Sequence, residues 1–175
     1  LKLVADDHRL VIKRAIDVVG ALCGLIVLSP VFLAYAIAVK MTSPGPAVFS
    51  QRRYGKNRRL FEMYKFRTMV EDAEQRQSSL ESQNEASGPV FKMKNDPRIT
   101  SVGRWLRRLS LDELPQLVNV LTGDMSLVGP RPLPVRDVSN FNETWLLRRF
   151  SVKPGLTCLW QINGRNHVDF EHWVR

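Results

Sequence analysis

Asp112 and Glu113 are adjacent carboxylates in a stretch that is otherwise cationic, with Arg104, Arg107 and Arg108 just before them. At the first turn of a helix, where the dipole favours anions, both are expected to be ionised at neutral pH. An ionised aspartate can attack phosphorus and form an acyl phosphate. A neighbouring glutamate can hold a Mg2+ ion that keeps several waters while bridging phosphate oxygens. The same residues also suit a plain helix start, because Ser110 and Glu113 have the Ser-x-x-Glu spacing of a capping box. On spacing alone the cap is the simpler account.

The complementary charges are cations. Lys65 and Arg67 occupy alternate positions of a candidate strand and so share a face. With Arg107 and Arg131 they offer four positive groups to a diphosphate, although each alone would be a solvated surface charge. Arg131 sits between Pro130 and Pro132 in the run Ser126 to Pro134, where three prolines exclude regular helix and leave a rigid mount. His167, Asp169 and His172 do not suggest a metal site, since a spacing of five does not align the histidines on one helical face.

The elements that must position these groups begin with an apolar run from Ala15 to Val39 whose only charge is Asp17. At about 1.5 Å per residue it could cross roughly 30 Å of hydrocarbon. It is longer than the apolar core of a signal peptide. Ser29-Pro30 falls in its middle, where proline removes a backbone donor and kinks the helix. Lys13 and Arg14 precede the run; Lys40, Arg52, Arg53, Lys56, Arg58 and Arg59 follow it. Basic flanks on both sides favour a re-entrant hairpin over a spanning helix with a tolerated proline or a buried core helix.

Beyond Ser43-Pro44-Gly45-Pro46, residues 47–50 and 60–66 read as a strand pair joined by a basic loop, Arg52 to Arg59. Thr68 to about Gln83 suits a polar, exposed helix ended by Ser87-Gly88-Pro89. Ile99, Val102, Leu106 and Leu109 make an amphipathic helix fit to lie on a membrane. A further helix should start near Asp112, keep Pro115 in its first turn and close at Gly123. Lys153-Pro154-Gly155 and Asn163-Gly164-Arg165 mark turns.

The formal charge of +9 and a pI near 10.1 attract polyanions without choosing among nucleic acid, lipid headgroups and phosphorylated metabolites. With 44% hydrophobic residues the chain is too apolar for disorder and long enough for one core. Cys23 and Cys158 suggest neither a disulfide framework nor a metal knuckle. The start at Leu1 and an end amid aromatic residues read as part of something longer, truncated at the C-terminal side.

Several motifs carry a resemblance: Ser29-Pro30, Lys65-Phe66-Arg67-Thr68-Met69, Asn95-Asp96-Pro97-Arg98-Ile99-Thr100, Leu111-Asp112-Glu113-Leu114-Pro115-Gln116, and Gly123 through Pro132. In this order they resemble the bacterial sugar transferases, the monotopic phosphoglycosyl transferases. That resemblance implies an α-rich α/β fold: a re-entrant membrane helix over residues 1–40, then a cytosolic catalytic domain over 41–175 with a short β-hairpin and interfacial helices. It implies a ping-pong reaction in which Asp112 attacks a UDP-sugar, releases UMP and passes the phosphosugar to polyprenyl (undecaprenyl) phosphate. Glu113 would bind Mg2+; Lys65, Arg67, Arg107, Pro130, Arg131 and Pro132 would line the substrate pocket. The implied setting is the cytoplasmic face of a bacterial inner membrane, with membrane lipids as partners, no nucleic acid, and room for a homo-oligomer. The competing expectation is a membrane-tethered basic module for anionic lipid or nucleic acid, which leaves the acidic pair unexplained.

Overall fold

The computed structural model of the protein describes residues 7–85, 91, 93–139 and 144–158. It opens with two helices, α1 (Asp7–Val27) and α2 (Ser29–Thr42), which meet at Leu28 with a bend of 62°. The bend lies where the sequence places it. Pro30 lacks the N–H that would reach the carbonyl of Ile26 one turn back. The Ser29 hydroxyl donates to that carbonyl instead, at 2.8 Å. Among the described residues no single helix is long and apolar enough to cross a membrane; the bent pair together meets both requirements.

The first helix is small or polar on its inner face and apolar on its outer one. Asp17 and Ala21 are buried, and a Cβ at Gly20 or Gly24 would come within 2.8 Å of Leu127 and 3.0 Å of Leu117. Small residues on this face let the helix approach its neighbours closely. Ile12, Ile16, Val19, Ile26 and Val27 are each at least 60% exposed.

A hairpin follows, with β1 (Val48–Tyr54) antiparallel to β2 (Leu60–Phe66), from Val48 opposite Phe66 to Tyr54 opposite Leu60. The first strand is longer than the sequence indicates, and Arg52 and Arg53 belong to it rather than to the loop. They alternate across the pleat as strand residues do. The outer edge of β2 is closed by a side chain: Asn119 accepts from the Tyr64 amide at 3.0 Å and donates to the Glu62 carbonyl at 2.7 Å.

The helix expected over Thr68–Gln83 reduces to one turn, α3 (Gln77–Leu80), and a 3₁₀ turn, Glu81–Gln83; Ser87-Gly88-Pro89 lies outside the described residues. Thr68 and Met69 are extended because the Thr100 amide donates to Thr68 O and the Val70 amide to Arg98 O. A tertiary ladder wins there over local helix propensity. Arg98 is in turn fixed by a buried pair with Asp96, Nη2 to Oδ2 at 2.6 Å.

The amphipathic helix is α4 (Ser101–Leu109), capped by the Thr100 hydroxyl on the Gly103 amide. It is followed by α5 (Gln116–Thr122), which Gly123 closes in the left-handed conformation (φ 95°). This helix starts later than expected, with Pro115 before its first residue, since Leu111–Glu113 form a separate 3₁₀ turn. Short strands β3 (Ser126–Val128) and β4 (Gly155–Thr157) pair in parallel; α6 (Val135–Ser139) and a 3₁₀ segment, Thr144–Ser151, lie between them.

One core cluster joins Ala21, Met63, Leu117, Val120 and Met125; another joins Val39, Phe66 and Leu106, with Phe32 and Tyr35 packed on it. The second depends on close approach of α4 to Thr68, because a Cβ at Gly103 would sit 2.0 Å from the Thr68 carbonyl oxygen. The obstacle is backbone and cannot swing away. Gly103→Ala is therefore expected to destabilise the fold by about 1–3 kcal/mol, seen as a lower denaturation midpoint; an unchanged midpoint would contradict this packing.

Candidate active site

The turn 110–115 is built to aim two acids at one place. Ser110 takes the left-handed conformation at the end of α4 (φ 60°), and its amide donates to the carbonyls of Arg107 and Leu106. Leu111 and Leu114 pack onto the core cluster of Val39, Phe66 and Leu106. The residues between them, Asp112 and Glu113, are both 7% exposed. The capping box does not form: Ser110 makes no side-chain cap bond, and Glu113 is engaged elsewhere.

Glu113 Oε1 accepts from Lys65 Nζ at 2.9 Å and from Arg131 Nη2 at 2.5 Å; Oε2 accepts from Arg131 Nη1 at 3.3 Å. Lys65 comes from β2 and Arg131 from the proline-rich segment, so one carboxylate joins three parts of the chain. Burial opposes its charge, but Lys65 and Arg131 outweigh that and hold Glu113 well below the usual carboxylate range. Burial pushes Asp112 the other way, above the ordinary aspartate value, with Glu113 adding to the rise and Lys65 and Arg107 opposing it. Burial and the neighbouring Arg131 lower Lys65. The two acids, alike in sequence, are thus set apart: Glu113 is a fixed anion and Asp112 the more basic carboxylate.

Arg107 reaches the Thr68 hydroxyl through Nε at 2.8 Å and lies within electrostatic range of Asp112. Arg67 is not brought to this cluster. Its Nη2 donates to the Ser43 carbonyl at 2.8 Å and to that of Gly45 at 3.3 Å, tying the end of α2 to the strand. Pro130 and Pro132 flank Arg131 and, with Tyr54, Gly55, Arg149 and Phe150, line a small cavity behind it. Ser29 and Pro30 stand at the helix bend. His167, Asp169, His172 and Asn163-Gly164-Arg165 lie outside the described residues.

Two residues were not legible beforehand. Arg149 donates to the Arg131 carbonyl at 2.9 Å, and burial lowers its guanidinium to about 10. Its sequence context, Leu-Leu-Arg-Arg-Phe, carries no signal of this. Thr68 could have been suspected from its place beside Lys65 and Arg67, but only the fold shows that it holds Arg107.

A carboxylate clamped by Lys65 and Arg131, beside a second carboxylate of raised basicity and a further arginine, gathers three cations and a basic oxygen in one place, the kind of cluster found at functional sites. The chain belongs to the bacterial sugar transferase family, whose model matches residues 8–175. It is 47% identical to the galactosyl transferase CpsE of Streptococcus agalactiae, over all of this chain and 38% of that protein. It is 42% identical to the undecaprenyl-phosphate galactose phosphotransferase of Salmonella typhimurium, over 91% of this chain and 34% of that protein. It is 45% identical to the UDP-glucose:undecaprenyl-phosphate glucose-1-phosphate transferase of Escherichia coli, over 87% of this chain and 31% of that protein. The chain thus spans about a third of the length of these relatives.

The two acids should respond oppositely to neutralisation. The depressed value of Glu113 means that its charge stabilises the fold above the unfolded value near 4.5 and that this is lost as pH falls. Glu113→Gln, which leaves the partly buried Lys65 and Arg131 without their anion, is expected to cost about 2 kcal/mol at pH 7, with the gap closing below pH 4. Asp112 has a raised value, so its ionised form opposes folding above the unfolded value near 3.8. Asp112→Asn is expected to be neutral or stabilising at pH 7, by up to about 2 kcal/mol. Denaturant titrations of both variants at pH 7 and at about pH 2.5 check the pair; equal destabilisation at pH 7 would contradict the split.

Proposed function

We propose that this chain is the catalytic unit of a phosphoglycosyl transferase that moves a sugar-1-phosphate from a UDP-sugar to polyprenyl (undecaprenyl) phosphate, the first membrane step of an exopolysaccharide, capsule or related glycan. The observation that carries this is the split acid pair. Asp112, buried beside Lys65 and Arg107 and more basic than an ordinary aspartate, suits attack on phosphorus. Its carboxylate oxygen bonds to the sugar-bearing phosphorus, the bond from that phosphorus to the bridging oxygen breaks, and UMP leaves with the electron pair. An oxygen of polyprenyl phosphate then attacks the same phosphorus, the acyl–phosphate bond breaks, and Asp112 returns as a carboxylate. Lys65, Arg107 and Arg131 surround the charge that moves between phosphates. The donor and acceptor classes are those in the name of the Escherichia coli relative.

Among the described residues no group of three or more metal-ligating side chains is present. Two adjacent carboxylates beside a diphosphate still meet the usual demand of Mg2+, which takes one or two carboxylates and completes its shell with phosphate oxygens and water. Glu113, shared with Lys65 and Arg131, would hold it. When bound, Mg2+ would neutralise charge on the diphosphate.

We place the unit at the cytoplasmic face of the inner membrane, with α1 and α2 entering as a re-entrant hairpin. The apolar outer faces of both helices support this, as does the position of Trp105 on α4, half exposed and 5.8 Å from the Tyr35 ring of α2. Such a ring suits the interface between hydrocarbon and water.

The full-length protein with polyprenyl phosphate is expected to release UMP from one member of a UDP-sugar panel when Mg2+ is present. Asp112→Asn should lose release by roughly 10³-fold or more, and the acid limb of the rate profile should lie above pH 3.8, the ordinary aspartate value. Release that survives Asp112→Asn would sink the nucleophile assignment; no release from any donor would sink the transferase.

The hairpin has its own test. His8→Cys and Ser43→Cys should both react with a membrane-impermeant maleimide from the cytoplasmic side of sealed vesicles. Labelling from opposite sides would make the pair a spanning segment.

A further inference from the structure

Asp17, the one charge in the apolar run, is not part of the pocket, yet it is 4% exposed and fully engaged. Its Oδ1 accepts from the Ser126 hydroxyl at 3.0 Å and from the Leu127 amide at 2.9 Å. Lys13, one turn earlier, lies 3.5 Å from Oδ2 and donates to the Ser126 hydroxyl and, at 3.4 Å, to the Val128 carbonyl. Arg14 holds the end of α5 through the carbonyls of Val120 and Leu121, at 2.6 and 2.8 Å. A carboxylate on a helix with a hydrocarbon-like outer face is expensive to bury and is a candidate functional residue until shown otherwise.

What Asp17 holds is the start of β3, and β3 runs directly into Gly129-Pro130-Arg131-Pro132. This run has little freedom. The Ser126 amide donates to Pro154 O at 2.8 Å, the Gly129 amide to Thr157 O at 3.1 Å, and the Gly155 amide to Pro130 O at 3.0 Å. A Cβ at Gly155 would sit 2.0 Å from the Gly129 nitrogen, so the two backbones are in contact. Four residues beyond Leu127, about 13 Å of extended chain, comes Arg131 with its guanidinium on Glu113. A shift at the Asp17 end therefore has few places to be absorbed before it reaches the pocket.

We propose that Asp17 is a positioning residue for the phosphosugar transfer described above, on which this inference rests: it sets β3 against α1 and so fixes where Arg131 meets Glu113. The membrane helix and the anion pocket are then one mechanical unit, and the placement of Arg131 depends on how α1 is seated.

The test compares Asp17→Leu, Asp17→Asn, Arg131→Ala and the Asp17→Leu/Arg131→Ala double variant in the full-length protein reconstituted in lipid nanodiscs. Asp17→Leu should raise the KM for the UDP-sugar about tenfold, and Asp17→Asn, which keeps an acceptor for Ser126 and Leu127, should restore most of it. If Asp17 acts through Arg131, the double variant is no worse than Arg131→Ala alone. Hydrogen exchange gives a reading independent of turnover: in Asp17→Leu the amides of Gly129 and Gly155, which bond Thr157 O and Pro130 O, should exchange at least tenfold faster while those of β2 and α5 keep their protection. Additive kinetic costs, an unchanged KM with only a lower folded yield, or exchange rising equally in β2 and α5 would each overturn the inference and leave Asp17 a general tether. A wild type that transfers nothing would sink the proposed function; unchanged exchange at Gly129 and Gly155 would then still overturn this inference by itself.

Discussion

The carboxylate of Glu113 is the point through which the site is assembled. Lys65 on β2 and Arg131 on the proline-rich segment reach it from separate parts of the sequence, and neither has a reason to be buried there without it. Burying such ions is costly, and their mutual attraction offsets the cost only when geometry is good and every hydrogen bond is made. A two-pronged arginine and a lysine on a single carboxylate supply that geometry. The arrangement therefore adds less net stability than its short distances suggest, but it strongly disfavours any packing in which one member is missing.

That constraint acts on a structure with an unusual division of surfaces. In α1 the inner face carries Asp17, Gly20, Ala21 and Gly24, while isoleucine and valine side chains face outward. Water would select the opposite pattern. The membrane setting proposed above would account for it, since in lipid apolar groups gain nothing by turning inward and helices associate through small residues and polar contacts. The proposed setting would also give Ser29 a reason to precede Pro30: in hydrocarbon an Ile26 carbonyl left unpaired by proline would cost several kcal/mol, and the serine hydroxyl supplies the missing donor within the same turn.

Much of this was visible in the residues. Leu-Asp-Glu-Leu shows two acids between two core leucines; Pro130-Arg131-Pro132 shows a rigid cation; Ser29-Pro30 in an apolar run shows a bend. These are local signals, in which each residue's neighbours in sequence are also its neighbours in space. The misread features are set at long range. Arg67 shares strand alternation with Lys65, but it lies just past the end of β2, and the carbonyls of Ser43 and Gly45 claim its guanidinium. Thr68–Gln83 has the composition of an exposed helix, but Thr68 and Val70 are held extended by Thr100 and Arg98. The spacing of Ser110 and Glu113 fits a cap, yet Lys65 and Arg131, distant in sequence, compete for the same carboxylate and win because two cations outweigh one backbone amide. Arg149 is one of two adjacent arginines, and nothing in its surroundings distinguishes it until the chain folds back onto Arg131.

The adjacency of Asp112 and Glu113 follows from the same physics. Two carboxylates side by side in a buried turn cannot both be held as strongly stabilised anions, because each raises the proton affinity of the other. Clamping Glu113 with two cations settles which of them keeps its charge under nearly all conditions. Asp112 is left with burial and Glu113 working against its charge, and it is the more basic of the two carboxylates. A fully paired aspartate in its place would be a better structural anion and, for the proposed attack on phosphorus, a poorer nucleophile, since its lone pairs would already be committed. The fold therefore accepts a locally unfavourable ion at Asp112, opposed by burial and by the Glu113 charge and offset by Lys65, Arg107 and Arg131.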